Sequence, residues 1–79
     1  MDYIQHLGNI IKYHRKKAGL SQKSLADVAG VGKTVVFDIE KGKQTVQFKS
    51  IIHVLKALNI SIEFNSPLMN KYNTEHENS

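Results

Sequence analysis

Several polar side chains in one stretch of the chain could form hydrogen bonds with nucleic-acid bases and phosphates. Lys33 could donate to guanine O6 and N7 or to a phosphate, and Thr34 could contact a base edge or a phosphate. Asp38 could accept from cytosine N4. Gln22 could hold a backbone phosphate beside the free amides at the start of a helix. Phe37 could touch a thymine methyl group, or it could instead fill the pocket of a protein partner.

These side chains lie in residues 21–43, where apolar residues recur at helical spacing. The residues predicted to face a shared core are Leu25, Ala26, Ala29, Val31, Val36 and Ile39. This pattern predicts two short helices, with Ser21 as the N-cap of the first and Gly30 in the turn between them. Such a pair is typical of a helix-turn-helix, whose second helix enters the DNA major groove. The alternative is an amphipathic helical pair with a merely solvated outer face.

The charge distribution favours an anionic partner at the same place. The net charge is only +4, but residues 12–49 hold nine Lys or Arg against three acids, whereas one Lys and two Glu follow Pro67. Basic charge is therefore concentrated around the predicted helix pair. Arg15 belongs to a basic helix end that would also suit the helix dipole. The residues predicted to contact DNA are Arg15, Gln22, Gly32, Lys33, Thr34, Phe37, Asp38, Lys41 and Lys43.

The flanking segments complete a mainly α fold with four helices. The first helix is predicted from Asp2 as N-cap to about Ala18, where Gly19 ends it. After the helix pair, Gly42 is a natural left-handed terminator, and a last helix runs from about residue 47 to residue 58. Its predicted buried stripe is Phe48, Ile51, Ile52, Leu55 and Leu58.

A β-strand is predicted over residues 60–65, because Ile60, Ile62 and Phe64 alternate with polar residues. A lone strand with an apolar face is a liability, so we expect it to pair antiparallel with a second copy, making Ile60, Ile62 and Phe64 the interface of a homodimer. The alternative is an extended tail packed on its own helices. Residues 1–65 would then form one domain, and residues 66–79 a disordered tail, unless its apolar residues fold against a partner.

Catalytic, metal-binding and membrane functions find little support. The chain has no cysteine, and its His residues are too far apart, without convergent acidic groups, to predict a metal site. Neither a nucleophile–base pattern nor a glycine-rich phosphate loop is evident, so we expect a binding module with no cofactor rather than an enzyme. No apolar run has membrane-spanning length, and the first residues lack the order of a secretion signal, which predicts a cytoplasmic protein.

Many of these residues stand in the register of a known family. They are Leu7-Gly8, Ile11, Arg15, Gly19-Leu20-Ser21-Gln22, Leu25-Ala26, Gly30-Val31, Val36, Ile39-Glu40 and Gly42. Over about residues 4–58 the chain resembles the phage-repressor-like, or Cro/C1, helix-turn-helix family, also called the xenobiotic-response-element type. The resemblance implies a lambda-repressor-like domain in which Gln22, Lys33, Thr34 and Asp38 contact operator DNA. Gly32, where a Ser or Thr cap is common, departs from the family pattern, as do Phe37 and Asp38.

The residues SIEFN stand where most family members continue into a fifth helix. In this the chain resembles the HipB antitoxins, whose last strand pairs across the dimer and whose partner is a HipA-like serine/threonine kinase toxin. The resemblance implies an autoregulating repressor and antitoxin of a type II toxin–antitoxin module. The alternatives are a phage-type or restriction-system regulator without a toxin, and a protein-interaction module that does not bind DNA.

Overall fold

The computed structural model describes residues 2–76, and within that range the chain forms five α-helices. They are α1 (Tyr3–Lys17), α2 (Gln22–Ala29), α3 (Lys33–Glu40), α4 (Phe48–Ala57) and α5 (Met69–His76). The predicted mainly α architecture is confirmed, and α1 to α4 correspond to the four predicted helices. None of the helices in this range is long and apolar enough to cross a membrane.

Local capping explains where the first helices begin and end. The Asp2 carboxylate accepts hydrogen bonds from the backbone N–H groups of Ile4 and Gln5, at 3.0 and 3.2 Å. The Ser21 hydroxyl accepts from the N–H of Ser24 at 3.0 Å and so caps α2. Gly30 ends α2 with a φ of 72°, a left-handed conformation that glycine adopts without steric cost. The predicted turn between α2 and α3 therefore has the expected chemistry.

The core is built from side chains of α1 to α4. Its buried apolar residues are Ile11, Leu25, Ala26, Val36, Ile39, Ile51, Val54 and Leu55. Burial of each large side chain among them contributes about 1.5–3 kcal/mol to folding. Phe48 was predicted to join this core, but its side chain is 63% exposed at the first position of α4, while Val54 is fully buried. The buried face of α4 thus follows residues 51, 54 and 55 rather than residue 48.

The helix α1 lies directly against the C-terminal end of α3. A Cβ atom at Gly8 would collide with the backbone carbonyl oxygen of Ile39, so only glycine permits this approach. Beside it, Gln5 Nε2 donates to the carbonyl oxygen of Glu40 at 3.3 Å. This contact gives an otherwise unpaired carbonyl at the end of α3 a partner. Together these features fix α3 relative to α1.

The predicted β-strand at residues 60–65 is not supported, since the described part of the chain, residues 2–76, contains no strand. A strand needs the backbone groups of a neighbour, and an alternating pattern reports only which side chains face the same way. Residues 60–65 form neither helix nor strand, and Ile60 packs against the core. Ile62 and Phe64 are 41% and 74% exposed. The segment is therefore an irregular connection that leaves two apolar side chains exposed.

The helix α5 lies in the segment that was predicted to be a disordered tail. Ser66 precedes it in the chain, and its carbonyl and hydroxyl oxygens accept from the N–H groups of Met69 and Leu68, at 3.2 and 3.3 Å. The rings of Tyr72 and His76 stack with centroids 4.4 Å apart. None of the residues of α5 is buried, which is why no core pattern predicted this helix. The last three residues of the predicted tail lie outside the described range.

Candidate nucleic-acid interface

The outer side of the helix pair brings together side chains from the starts of α2 and α3. Gln22, Lys33, Thr34 and Phe37 line one shallow concavity with a volume of about 370 Å³. Lys33 and Thr34 are exposed, whereas Val36 of the same helix is fully buried. The eight-residue α3 therefore has a buried apolar side and an accessible side rich in hydrogen-bonding groups. Such a side is suited to a DNA major groove, which admits a single helix.

An aromatic ring and a cation meet at the far end of α3. Phe37 is 45% exposed, and the Lys41 ammonium nitrogen lies 5.1 Å from the centroid of its ring. This is a cation–π geometry, which holds the lysine close to the helix surface. The two predicted contact residues thus present an apolar surface with a positive charge beside it.

Asp38 would repel phosphates if its charge were uncompensated. In the structure, Lys43 Nζ lies 3.6 Å from Asp38 Oδ2, and the two residues border a second concavity between α3 and the start of α4. The pair is partly exposed and adds little to stability. The nearby ammonium group reduces the negative field around Asp38 while leaving a carboxylate oxygen to accept a hydrogen bond.

Arg15, predicted to contact DNA, belongs to the interior instead. Its Nε donates to Glu40 Oε2 at 2.6 Å and its Nη2 to Glu40 Oε1 at 3.0 Å. Its Nη1 donates to the carbonyl oxygen of Leu20 at 2.9 Å, and only 8% of the residue is exposed. The hydrogen bonds that Arg15 donates to Glu40 raise the pKa of Arg15 above its ordinary value, despite burial, which lowers it. Arg15 is therefore a permanently charged structural residue, unsuited to phosphate binding.

Glu40 stands in the family pattern, but no role was predicted for it from the sequence. Besides holding Arg15, its Oε1 accepts a hydrogen bond from Gln22 Nε2 at 3.2 Å. The available signals were the spacing of Arg15 four residues after buried Ile11, and of Glu40 four residues after buried Val36. Both spacings point a charged side chain towards the core, where it needs a partner.

Gly32 stands at the N-cap of α3 with a φ of −74° and a ψ of 152°. A Cβ atom there would meet nothing within 4 Å, so neither the backbone nor crowding requires glycine. Without a capping side chain, the first amides of α3, at Lys33 and Thr34, have no side-chain partner at the start of the helix. Elsewhere in residues 2–76, no cluster of His, Asp or Glu is arranged to hold a metal ion.

Comparisons with known proteins agree with this geometry. A family model described as helix-turn-helix matches residues 11–65, which include α2, α3 and α4. An uncharacterized HTH-type transcriptional regulator, y4mF, of Sinorhizobium fredii is 39% identical over 61 residues, which cover 77% of this chain and 80% of the relative. Control protein C.SmaI of Serratia marcescens is 31% identical over 62 residues, which cover 78% of this chain and 74% of the relative.

Removal of the Glu40 carboxylate should strongly destabilise the fold. In Glu40→Ala the buried Arg15 charge loses its partner, and we expect the free energy of unfolding in urea to fall by about 3–5 kcal/mol. The control is Asp27→Ala, which breaks the exposed pair of Lys23 Nζ and Asp27 Oδ2 at 3.1 Å. It should cost less than about 1 kcal/mol. Equal losses in the two variants would contradict the structural role given to Glu40.

Proposed function

The chain belongs to the Cro/C1-type helix-turn-helix family of DNA-binding transcriptional regulators, and from this premise we propose that it is a sequence-specific repressor that binds its operator through α3. The observation that carries the proposal is the concavity lined by Gln22, Lys33, Thr34 and Phe37. It joins a site suited to phosphate at the start of α2 to side chains that can read bases on α3. The activity is binding, and no catalytic step is invoked.

We propose further that the repressor acts as a homodimer. Support comes from the apolar groove beside the end of α4, with a volume of about 470 Å³, whose lining includes Ile52, Leu55, Ile60 and Ile62. Exposed Phe64 follows it along the chain. Two copies joined here would bury apolar surface that one copy leaves in water. A dimer also suits operators whose half-sites lie about 34 Å apart.

Two kinds of repressor fit this surface. The relative named a control protein supports a phage-type or restriction-system regulator without a toxin, which is the version we favour. The alternative is a HipB-like antitoxin that binds a HipA-like kinase toxin. The unsupported strand removes the feature on which that resemblance rested, and the exposed apolar residues Ile62, Phe64, Leu68 and Tyr72 are its remaining support. Purification from the native locus distinguishes the two, because only the antitoxin would carry a kinase-like protein in stable ratio.

The salt dependence of DNA binding tests the proposed function. A dimer that neutralises roughly six to ten phosphates should lose a factor of about 10³ to 10⁵ in affinity between 50 and 200 mM salt. We expect such a fall for a duplex that the protein selects from a random-sequence pool, measured by fluorescence anisotropy. Failure to select any duplex, or a flat dependence, would contradict the proposal and favour an interaction module that binds an acidic protein.

Truncation of Lys33 should weaken this DNA complex. If Lys33 donates to guanine, Lys33→Ala should reduce the binding free energy by about 1–3 kcal/mol and relax the preference at one base position. A uniform loss across operators would assign the contact to phosphate. Lys71→Ala, which removes the same charge from exposed α5, is the matched control and should leave affinity nearly unchanged. Equal losses for the two lysines would contradict a specific role for α3.

The dimer has its own test in the variant Phe64→Asp. A charge in the proposed apolar interface should make the protein monomeric in sedimentation experiments and abolish tight binding to a two-half-site operator. Phe48→Asp is the control, because Phe48 is similarly exposed but lies at the first position of α4, whereas the groove, which Phe64 follows along the chain, lies beside the other end of that helix. A Phe64→Asp variant that stays dimeric would overturn this choice of interface.

A further inference from the structure

A chain of hydrogen bonds runs from the interior to the proposed DNA-facing side. Glu40 is 7% exposed and Arg15 is 8% exposed. Glu40 Oε1 accepts from Arg15 Nη2 at 3.0 Å and from Gln22 Nε2 at 3.2 Å. Gln22 is the first residue of α2 and lines the concavity that it shares with Lys33, Thr34 and Phe37. A buried ion pair therefore touches a predicted contact residue directly.

The chemistry of this contact determines how the Gln22 carboxamide is turned. An ionised carboxylate can only accept hydrogen bonds, so the atom of Gln22 that faces Glu40 has to be its NH₂ nitrogen. The Arg15 guanidinium holds Glu40 through two parallel hydrogen bonds and leaves it little freedom to move. A free glutamine side chain would sample many rotamers and lose that entropy on binding. The hydrogen bond to Glu40 restricts the rotamers of Gln22 before any DNA binds.

We propose that Glu40 is a positioning residue for DNA binding, which orients the carboxamide of Gln22 before DNA arrives. The inference rests on the proposed function, because it assigns Glu40 a role at the same surface. Arg15 contributes by keeping Glu40 in place. The buried pair thus has two separable effects, one on the stability of the fold and one on the contact that Gln22 makes.

A double-mutant cycle separates these effects. The background variant Arg15→Met/Glu40→Leu replaces the ion pair by apolar residues, an exchange that is often neutral or stabilising. Gln22→Ala is made in the wild-type chain and in this background, and all four proteins are titrated with the duplex selected by the wild type. We expect Gln22→Ala to weaken binding about three- to tenfold in the wild-type chain and less than about twofold in the background.

The possible outcomes separate a failure of the positioning role of Glu40 from a failure of the proposed DNA binding. Equal losses from Gln22→Ala in both chains would overturn the positioning role while leaving DNA binding intact. A wild-type protein that selects no duplex would overturn the proposed function, and this inference with it. The salt dependence should be the same in all four proteins, because no phosphate-binding cation is changed.

A measurement on the wild-type protein tests the inference even if the apolar background fails to fold. The side-chain NH₂ group of Gln22 should be more ordered in ¹⁵N relaxation and exchange its hydrogens more slowly than that of Gln44, which is exposed. Equal mobility of the two side-chain amides in the DNA-free protein would overturn the proposal.

Discussion

The buried ion pair of Arg15 and Glu40 joins three parts of the molecule. It ties α1 to the end of α3, and through the Leu20 carbonyl and the Gln22 amide it also reaches the loop before α2 and the start of α2. A buried charge without a partner is among the costliest defects in a small domain. The position of the helix pair on the core therefore depends on both residues being present and in contact.

Close packing of α1 against α3, beside the ion pair, fixes how these two helices are arranged. Gly8 allows α1 to approach the backbone of α3, and Gln5 pairs with the carbonyl oxygen of Glu40. With α3 held at its C-terminal end, the side of the helix that carries Val36 and Ile39 is buried. The opposite side, with Lys33 and Thr34, is consequently left to face solvent or a ligand. Burial of the apolar side of α3 therefore determines which polar side chains of the helix are exposed.

Features that depend on neighbouring residues were predictable from the sequence. Asp2, Ser21 and Gly30 mark helix ends through their own caps and backbone angles, and the apolar spacing around Leu25 and Val36 identifies the buried sides of α2 and α3. Contacts between distant residues were harder to predict. The partners Arg15 and Glu40 are 25 positions apart, and charge alone made Arg15 look like a phosphate ligand.

The segment 60–65 and α5 show a different limit of prediction from the sequence. The alternation of apolar and polar residues at 60–65 indicates which side chains would face the same way. A strand also requires backbone hydrogen-bonding partners, which this alternation does not specify. In α5 the reverse holds, because a short helix forms from local hydrogen bonds without any buried residue. Both segments lie largely at the surface, where the spacing of buried apolar residues says little about the backbone structure.

We propose DNA binding by the side of α3 opposite the core, together with the start of α2. The most direct measurement is a titration of the ¹⁵N-labelled protein with its selected duplex, followed by backbone amide chemical shifts. We expect the largest changes at Gln22 and over residues 33–38, with small changes at exposed Tyr3 and in α5. Changes concentrated over residues 60–72, with α3 unaffected, would contradict this proposal.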